Sequence, residues 1–151
     1  MNIIIDTREQ TPWHFEKTSA TTTFRKLDTG DYAIDGMEDI LCIERKKTVS
    51  EIATNITDSR FKRELERMAE FRHKILILEF DYRHIDSFPE GSKIPKRLKD
   101  KVRIRGPYII KCLSRMITKY GITVLTCSNA IYAEHVAYSI MKEVYEEECK
   151  S

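Results

Sequence analysis

The chain has 151 residues, of which 41% are hydrophobic and 33% are charged, and its formal net charge is +2. This length gives one hydrophobic core and is too short for two, so we expect a single domain over residues 1–151. The small net charge excludes a global electrostatic argument for nucleic-acid binding, and only a local basic cluster could support one.

The cysteines and the N-terminus indicate where the protein works. The four cysteines are far apart in the sequence, with no C-x-x-C pair and no histidine at zinc-ligand spacing. This favours reduced thiols over a disulfide framework or a zinc site. The segment MNIIIDTREQ turns polar after three isoleucines, which fits neither a signal peptide nor a membrane span. We therefore expect an intracellular protein without a membrane partner, in the cytoplasm, the nucleus or a virus-infected cell.

The first half of the chain predicts four short strands. Residues 2–6 form an apolar run, and residues 21–27 are rich in β-branched side chains. Residues 32–34 and 40–44 are apolar runs on either side of an Asp-Gly turn signal, which predicts a hairpin.

The second half alternates helices and strands. Thr48 and Glu51 form a T-x-x-E capping box, so a helix should begin there. The later elements are predicted as a helix at 60–71, a strand at 74–80, a helix at 108–120, a strand at 122–127 and a helix at 129–148. This alternation favours an α/β fold with a central mixed sheet.

Three charged residues of the predicted hairpin, Asp31, Glu44 and Lys46, stand at the spacing D-x12-E-x-K. Strand pairing brings Asp31 and Glu44 together at one end, and Glu44 shares a face with Lys46 because strand side chains alternate. Two close carboxylates need a raised pKa or a divalent cation, and oxygen ligands beside a lysine favour Mg²⁺ or Mn²⁺. Lys46 could orient or deprotonate a water, or stabilise the transition state of phosphodiester hydrolysis. The spacing alone is a weak signal.

The residues around this constellation follow a recognisable order. Gly-Asp-Tyr at 30–32, Glu-Arg-Lys at 44–46 and Asp-Ser-Arg-Phe at 58–61 stand between IIIDTRE and KILILEFD. This order resembles the nuclease domain of the XPF family of structure-selective DNA endonucleases, with its GD…ERKxxxD signature and DGR-F region. The resemblance covers essentially the whole chain and is densest over residues 2–81.

The resemblance implies a three-layer, restriction-endonuclease-like α/β fold, with a central mixed sheet flanked by helices. It implies a Mg²⁺- or Mn²⁺-dependent endonuclease for branched or flapped DNA, active in repair, recombination or replication-fork processing. The predicted metal ligands are Asp31, Glu44 and Asp6. The predicted catalytic residues are Asp31, Glu44, Lys46, Arg45, Asp6, Glu9 and Glu51. Arg45 faces away from Glu44 by alternation, so it either supports the site or contacts a phosphate, and Arg8 and Arg60 are expected to contact DNA.

Two departures from the family pattern bear on function. The last acid of the motif falls on Ser50, and Glu51 lies one residue further on, so we predict a one-residue insertion with Glu51 in that role. Family members commonly carry a helix-hairpin-helix module after the nuclease domain, and this chain ends at Ser151 without one. A separate protein could supply that module.

The region of residues 93–105 holds seven basic residues against one acid, Asp100. Such a run is either a solvated loop or, beside a nuclease site, a track for DNA phosphates. The residues predicted to bind DNA in this run are Lys96, Arg97, Lys99 and Lys101.

The last two predicted helices carry apolar stripes, which are most simply core. In the XPF family, helices from this end of the domain also form a dimer interface, so we expect a homodimer. Two alternatives to the proposed activity stay open: a junction resolvase on the same fold, and a non-cleaving DNA-binding or scaffold subunit. The presence of Asp31, Glu44 and Lys46 opposes the second alternative.

Overall fold

A computed structural model of the chain describes residues 1–150. The strands are β1 (Asn2–Ile5), β2 (Thr21–Phe24), β3 (Tyr32–Ile34), β4 (Leu41–Lys46), β5 (His73–Leu78) and β6 (Thr123–Thr126). The helices are α1 (Val49–Thr57), α2 (Phe61–Ala69), α3 (Tyr82–Asp86), α4 (Lys96–Lys99), α5 (Gly106–Tyr120) and α6 (Ala130–Cys149).

The strands form one mixed sheet in the order β2-β1-β3-β4-β5-β6. The predicted hairpin is confirmed, since β3 and β4 are antiparallel with Tyr32 opposite Ile43. The pairs β1 with β2, β4 with β5 and β5 with β6 are parallel. Strand β2 lies exposed at the sheet edge. It is shorter than predicted because its neighbour β1 ends at Ile5, opposite Phe24, and offers no further partner.

Helices cover both faces of the sheet, which confirms the predicted three-layer architecture. Leu41 and Ile43 of β4 belong to a buried cluster that includes Ala137 of α6. Cys42, between them in sequence, belongs to a second buried cluster with Ile109 of α5. Alternation along a strand therefore sends neighbouring side chains into two cores on opposite faces. The stripes of α5 and α6 are largely core, as predicted.

The segment between β5 and α5 differs from its prediction. It contains the short helices α3 and α4, which the sequence did not indicate. The helix predicted to begin at residue 108 begins at Gly106, so Gly106 and Pro107 form the first turn of α5, where proline is tolerated because the first N–H groups need no helical partner. A Cβ atom on Gly106 would overlap the carbonyl oxygen of Ile85, so glycine lets α3 approach α5.

The cysteines are free thiols, as predicted; Cys42, Cys112 and Cys127 are buried and Cys149 is exposed. Within residues 1–150, no helix combines the length and the apolar character that crossing a bilayer requires.

Candidate active site

A cleft of about 280 Å³ opens at the end of the sheet where strands β1 and β4 finish and β3 begins, and α2 forms its other wall. Buried apolar side chains, among them Ile52, Leu76 and Met116, also line it. The charged residues that line it are Asp6, Arg8, Glu9, Asp28, Asp31, Glu44, Lys46, Glu64 and Arg67. Antiparallel pairing of β3 with its neighbours brings these distant segments to one edge.

The backbone fixes Asp31 beside the end of β4. The N–H of Asp31 donates to the carbonyl of Ile43 at 2.8 Å, and Oδ2 of Asp31 accepts the N–H of Arg45 at 2.8 Å. Gly30 before it has φ +85°, and a Cβ there would lie 2.7 Å from Sγ of Cys42. The glycine of the Gly-Asp pair is therefore required by its positive φ and by the close approach of β4.

Asp31 and Glu44 place two carboxyl groups near each other in the cleft. Burial and the neighbouring charge of Glu44 raise the pKa of Asp31 well above its ordinary value. Burial also raises the pKa of Glu44. The predicted juxtaposition is thus present in the structure. The pair holds a proton, or an equivalent positive charge, more readily than isolated carboxylates do.

Lys46 and Glu64 complete the surroundings of Glu44. Nζ of Lys46 lies 3.4 Å from Oε1 of Glu44, and the Lys46 side chain is only 14% exposed. This ammonium lowers the pKa of Glu44, whereas the charge of Glu64 on α2 raises it. The alternation predicted for Glu44 and Lys46 is confirmed, since both side chains line the cleft.

Arg45 does not enter the cleft. Its side chain is 4% exposed, and its Nε donates to Glu79 at 2.7 Å. Its Nη1 donates to the carbonyl of Thr11 at 2.7 Å and to Glu9 at 3.2 Å. Its guanidinium also lies 4.6 Å from the centre of the Trp13 ring. Of the two roles predicted for Arg45, this geometry supports the structural one, and the prediction of Arg45 as a catalytic residue is not supported.

Glu9 lines the cleft, as expected from the sequence. Its Oε2 accepts the Tyr32 hydroxyl at 2.9 Å and a bond from Arg45. Its charge also helps to raise the pKa of Asp31. Glu9 is therefore held near the carboxyl pair by residues from the opposite side of the sheet.

Asp6 is bonded to Leu27 and Arg8 and does not join the Asp31 and Glu44 carboxyl groups. Its Oδ1 accepts the N–H of Leu27 at 2.8 Å, and its Oδ2 accepts Nε of Arg8 at 2.7 Å. Burial raises the pKa of Asp6, but these bonds outweigh it and the net shift is downward. Within residues 1–150, no three His, Cys, Asp or Glu side chains are arranged to hold a metal ion. The predicted three-acid ligand set of Asp6, Asp31 and Glu44 is therefore not assembled.

Two further predicted residues lie outside the cleft. Thr48 caps α1: its Oγ1 accepts the N–H of Glu51 at 3.3 Å, and the carboxylate of Glu51 accepts the N–H of Lys47, one residue before the cap, at 3.4 Å. The predicted start of the helix at Thr48 is confirmed, but the Glu51 carboxylate does not complete the predicted capping box and does not line the cleft. Arg60 is 72% exposed and pairs with Asp58 at 3.1 Å. Arg8, in contrast, lines the cleft and is 64% exposed.

The basic segment of residues 93–105 is attached to the domain by Ile94, Val102 and Ile104, which pack against the buried cluster under α5. Its cations are exposed except for Lys99, which lies 3.7 Å from Glu90 and is 16% exposed. None of them is among the described residues that line the cleft.

Sequence reasoning missed Glu64, Arg67 and Glu79. Glu64 lies on α2 between Phe61 and Leu65, in a stripe otherwise apolar, and an acid within an apolar stripe was the signal available. Glu79 directly follows the buried strand β5, and its carboxylate accepts hydrogen bonds from Nε of Arg45 and Nε1 of Trp13. An acid at the end of a buried strand indicates a basic partner, but no residue near Glu79 in the sequence identifies that partner as Arg45.

The mixed sheet between two helical layers is a restriction-endonuclease-like α/β fold. The sequence profile of the ERCC4 domain matches residues 5–140, and the chain belongs to this family.

Two solved structures share the fold. XPF from Aeropyrum pernix is 22% identical, with a TM-score of 0.64, over 91% of this chain and 60% of that one. XPF from Aeropyrum pernix in complex with DNA is 21% identical, with a TM-score of 0.61, over 94% and 66%. The chain thus spans less than two thirds of the length of these relatives. No curated protein matches it.

Proposed function

We propose that this chain is a metal-dependent endonuclease that hydrolyses phosphodiester bonds in branched or flapped DNA. The observation that carries the proposal is the pair of neighbouring carboxyl groups of Asp31 and Glu44 in the cleft, with Lys46 at 3.4 Å from Glu44. Membership of the ERCC4 domain family supports it. The XPF structure with DNA supports DNA as the substrate.

The carboxyl pair fits a divalent cation. Burial and like charge destabilise the two ionised carboxylates together, and a cation between them would offset that repulsion. A pair of carboxylates that leaves the other positions to water and phosphate oxygens suits Mg²⁺ or Mn²⁺. When bound, the ion would supply Lewis-acid polarisation of the phosphate and a more acidic water.

The remaining side chains of the cleft act on the phosphate and on the pair. The ammonium of Lys46 offsets the negative charge that develops on the reacting phosphate. Glu9 is kept near Asp31 by Tyr32 and raises the affinity of Asp31 for positive charge. Arg8 is braced by Asp6 yet mostly exposed, so it contacts a phosphate beside the reacting one.

The basic segment of residues 93–105 holds the duplex through phosphates. Its exposed cations, including Lys96, Arg97 and Lys101, supply a local positive surface on a chain with almost no net charge. Phosphate contacts give affinity and register without selecting a sequence. Lys99 contributes less, because it already faces Glu90.

The active form is a homodimer through α5 and α6. Large apolar side chains of these helices are exposed in the single chain, among them Ile117 at 45%, Ile131 at 76% and Tyr132 at 60%. Ile131 and Tyr132 are adjacent at the start of α6, and contiguous exposed apolar groups are typical of surfaces that bind another protein.

The proposal is tested with Glu44→Gln, which keeps the shape of the side chain and removes its charge. Labelled flap, fork, junction and linear duplexes are incubated with Mg²⁺ or Mn²⁺, and Mn²⁺ binding is measured by calorimetry. The cation is asked to supply several kcal/mol of transition-state stabilisation, so cleavage should fall about 10³-fold, with weaker Mn²⁺ binding. The control is Glu66→Gln, an exposed glutamate of α2 that does not line the cleft.

Equal cleavage by Glu44→Gln and the parent would refute the assigned site. DNA binding without cleavage of any substrate by the parent would instead identify a non-cleaving subunit.

A further inference from the structure

A second groove, of about 320 Å³, lies between the end of α1, α2 and α5. Phe61, Leu65 and Met116 line both this groove and the cleft of the carboxyl pair, so the two concavities share a wall. The groove is also lined by Asp58, Lys62, Tyr108, Arg115, Lys119 and Tyr120.

One face of α5 gives the groove its chemical character. Tyr108, Cys112, Arg115 and Lys119 follow one another at intervals of four, three and four residues, which places them on one face of a helix. They extend over about 16 Å at the helical rise per residue. Tyr108 is 45% exposed, so the face presents an accessible aromatic ring followed by two cations.

The cations of the groove have no acidic partners. Lys62, Arg115 and Lys119 form no ion pair among residues 1–150, while the single acid, Asp58, is bound to Arg60. Lys119 lies 5.4 Å from the centre of the Tyr120 ring. The groove therefore combines unneutralised positive charge with aromatic rings and an apolar floor.

We propose that this groove binds an unpaired DNA strand next to the cleft, an inference that rests on the proposed nuclease function. Proteins that bind single-stranded nucleic acid combine aromatic rings, on which the bases stack, with cations that contact the phosphates. Duplex DNA does not fit this chemistry, because its bases are already stacked within the helix. The strand that is unpaired at a flap or fork would thus enter the groove while the adjoining duplex reaches the carboxyl pair.

A second copy of this chain is the competing occupant. A two-fold interface over the groove would bring the same three cations of each copy towards each other. Like charges without intervening acids oppose such an interface. The charge of the groove therefore favours a polyanion.

The test measures the anisotropy of labelled single-stranded and duplex oligonucleotides without divalent ions, so that no cleavage occurs. Tyr108→Ala should weaken single-strand binding about tenfold, and Tyr108→Phe should preserve it, since stacking needs only the ring. Replacing Arg115 and Lys119 with glutamine should reduce the salt dependence of single-strand binding by about 0.7 for each lost contact. Lys111→Gln is the control: it makes the same change on α5, is exposed and lies outside the groove.

Duplex affinity should stay unchanged in all these variants. Unchanged single-strand binding in Tyr108→Ala and in the Arg115 and Lys119 double variant would overturn the inference. A loss of dimer mass in light scattering without a loss of single-strand affinity would overturn it in favour of a second copy. Because the assay needs no cleavage, an inactive parent would refute the nuclease function and leave the binding result readable.

Discussion

Replacing Arg45 with methionine tests whether this residue supports the site or reacts in it. The substitution removes a guanidinium bonded to Glu79, Glu9 and the Thr11 carbonyl, and leaves Glu79 buried without its cation. Breaking a buried ion pair by removing one partner costs about 3–5 kcal/mol. For a chain of about 150 residues, this lowers the melting temperature by roughly 10 °C.

Thermal unfolding followed by circular dichroism checks this value. The matched control is Arg60→Met, which removes an exposed arginine with one acidic neighbour and should change stability by no more than about 0.5 kcal/mol. In the double variant of Arg45→Met with Glu79→Gln, the loss of unfolding free energy should be smaller than the sum of the two single losses, because no uncompensated charge is left at position 79. An Arg45→Met variant with the stability of the parent and no cleavage would refute the structural role and return Arg45 to the reaction.

Three further predictions follow from particular contacts. The pKa of Asp6 is lowered on folding, so its carboxylate stabilises the folded chain above the pKa of the unfolded state, and this stabilisation is lost as the pH falls through the folded pKa. The substitution Asp6→Asn should therefore lower the free energy of unfolding at pH 7, and its effect should be much smaller at a pH well under the ordinary value of 3.8. Urea unfolding at each pH measures this difference. Alanine at Lys96, Arg97 and Lys101 should lower the salt dependence of duplex binding by about 0.9 per lost contact, in fluorescence titrations. Ile117→Glu should yield monomers in light scattering without unfolding, because that side chain is already 45% exposed.

The sequence allowed the fold to be predicted where local and tertiary signals agree. The hairpin of β3 and β4 combines a turn signal with two apolar runs, and the helix after Thr48 has its own cap. The helices α3 and α4 escaped prediction because each is only four or five residues long. The predicted start of α5, at residue 108, is two residues late because the contact of Gly106 with Ile85 is distant in sequence.

The site was predictable where one strand or hairpin determines the geometry. Asp31, Glu44 and Lys46 follow from alternation and strand pairing alone. Glu51 lies outside the cleft and Asp6 lies in it without joining the carboxyl pair, because each carboxylate already accepts a backbone N–H, from Lys47 and Leu27 respectively. A list of acids near a sheet edge does not show which ones have such local partners, whereas burial and hydrogen bonds do.

The Glu-Arg-Lys sequence of β4 both builds the cleft and anchors it. Alternation sends Glu44 and Lys46 into the cleft and Arg45 to the other side of the sheet, where it bonds Glu79. A shift of register by one residue would exchange these faces and expose the guanidinium while burying both cleft residues. The turn between Lys46 and α1 lies outside this constraint, and there the Thr48 cap fixes the start of the helix independently of the strand.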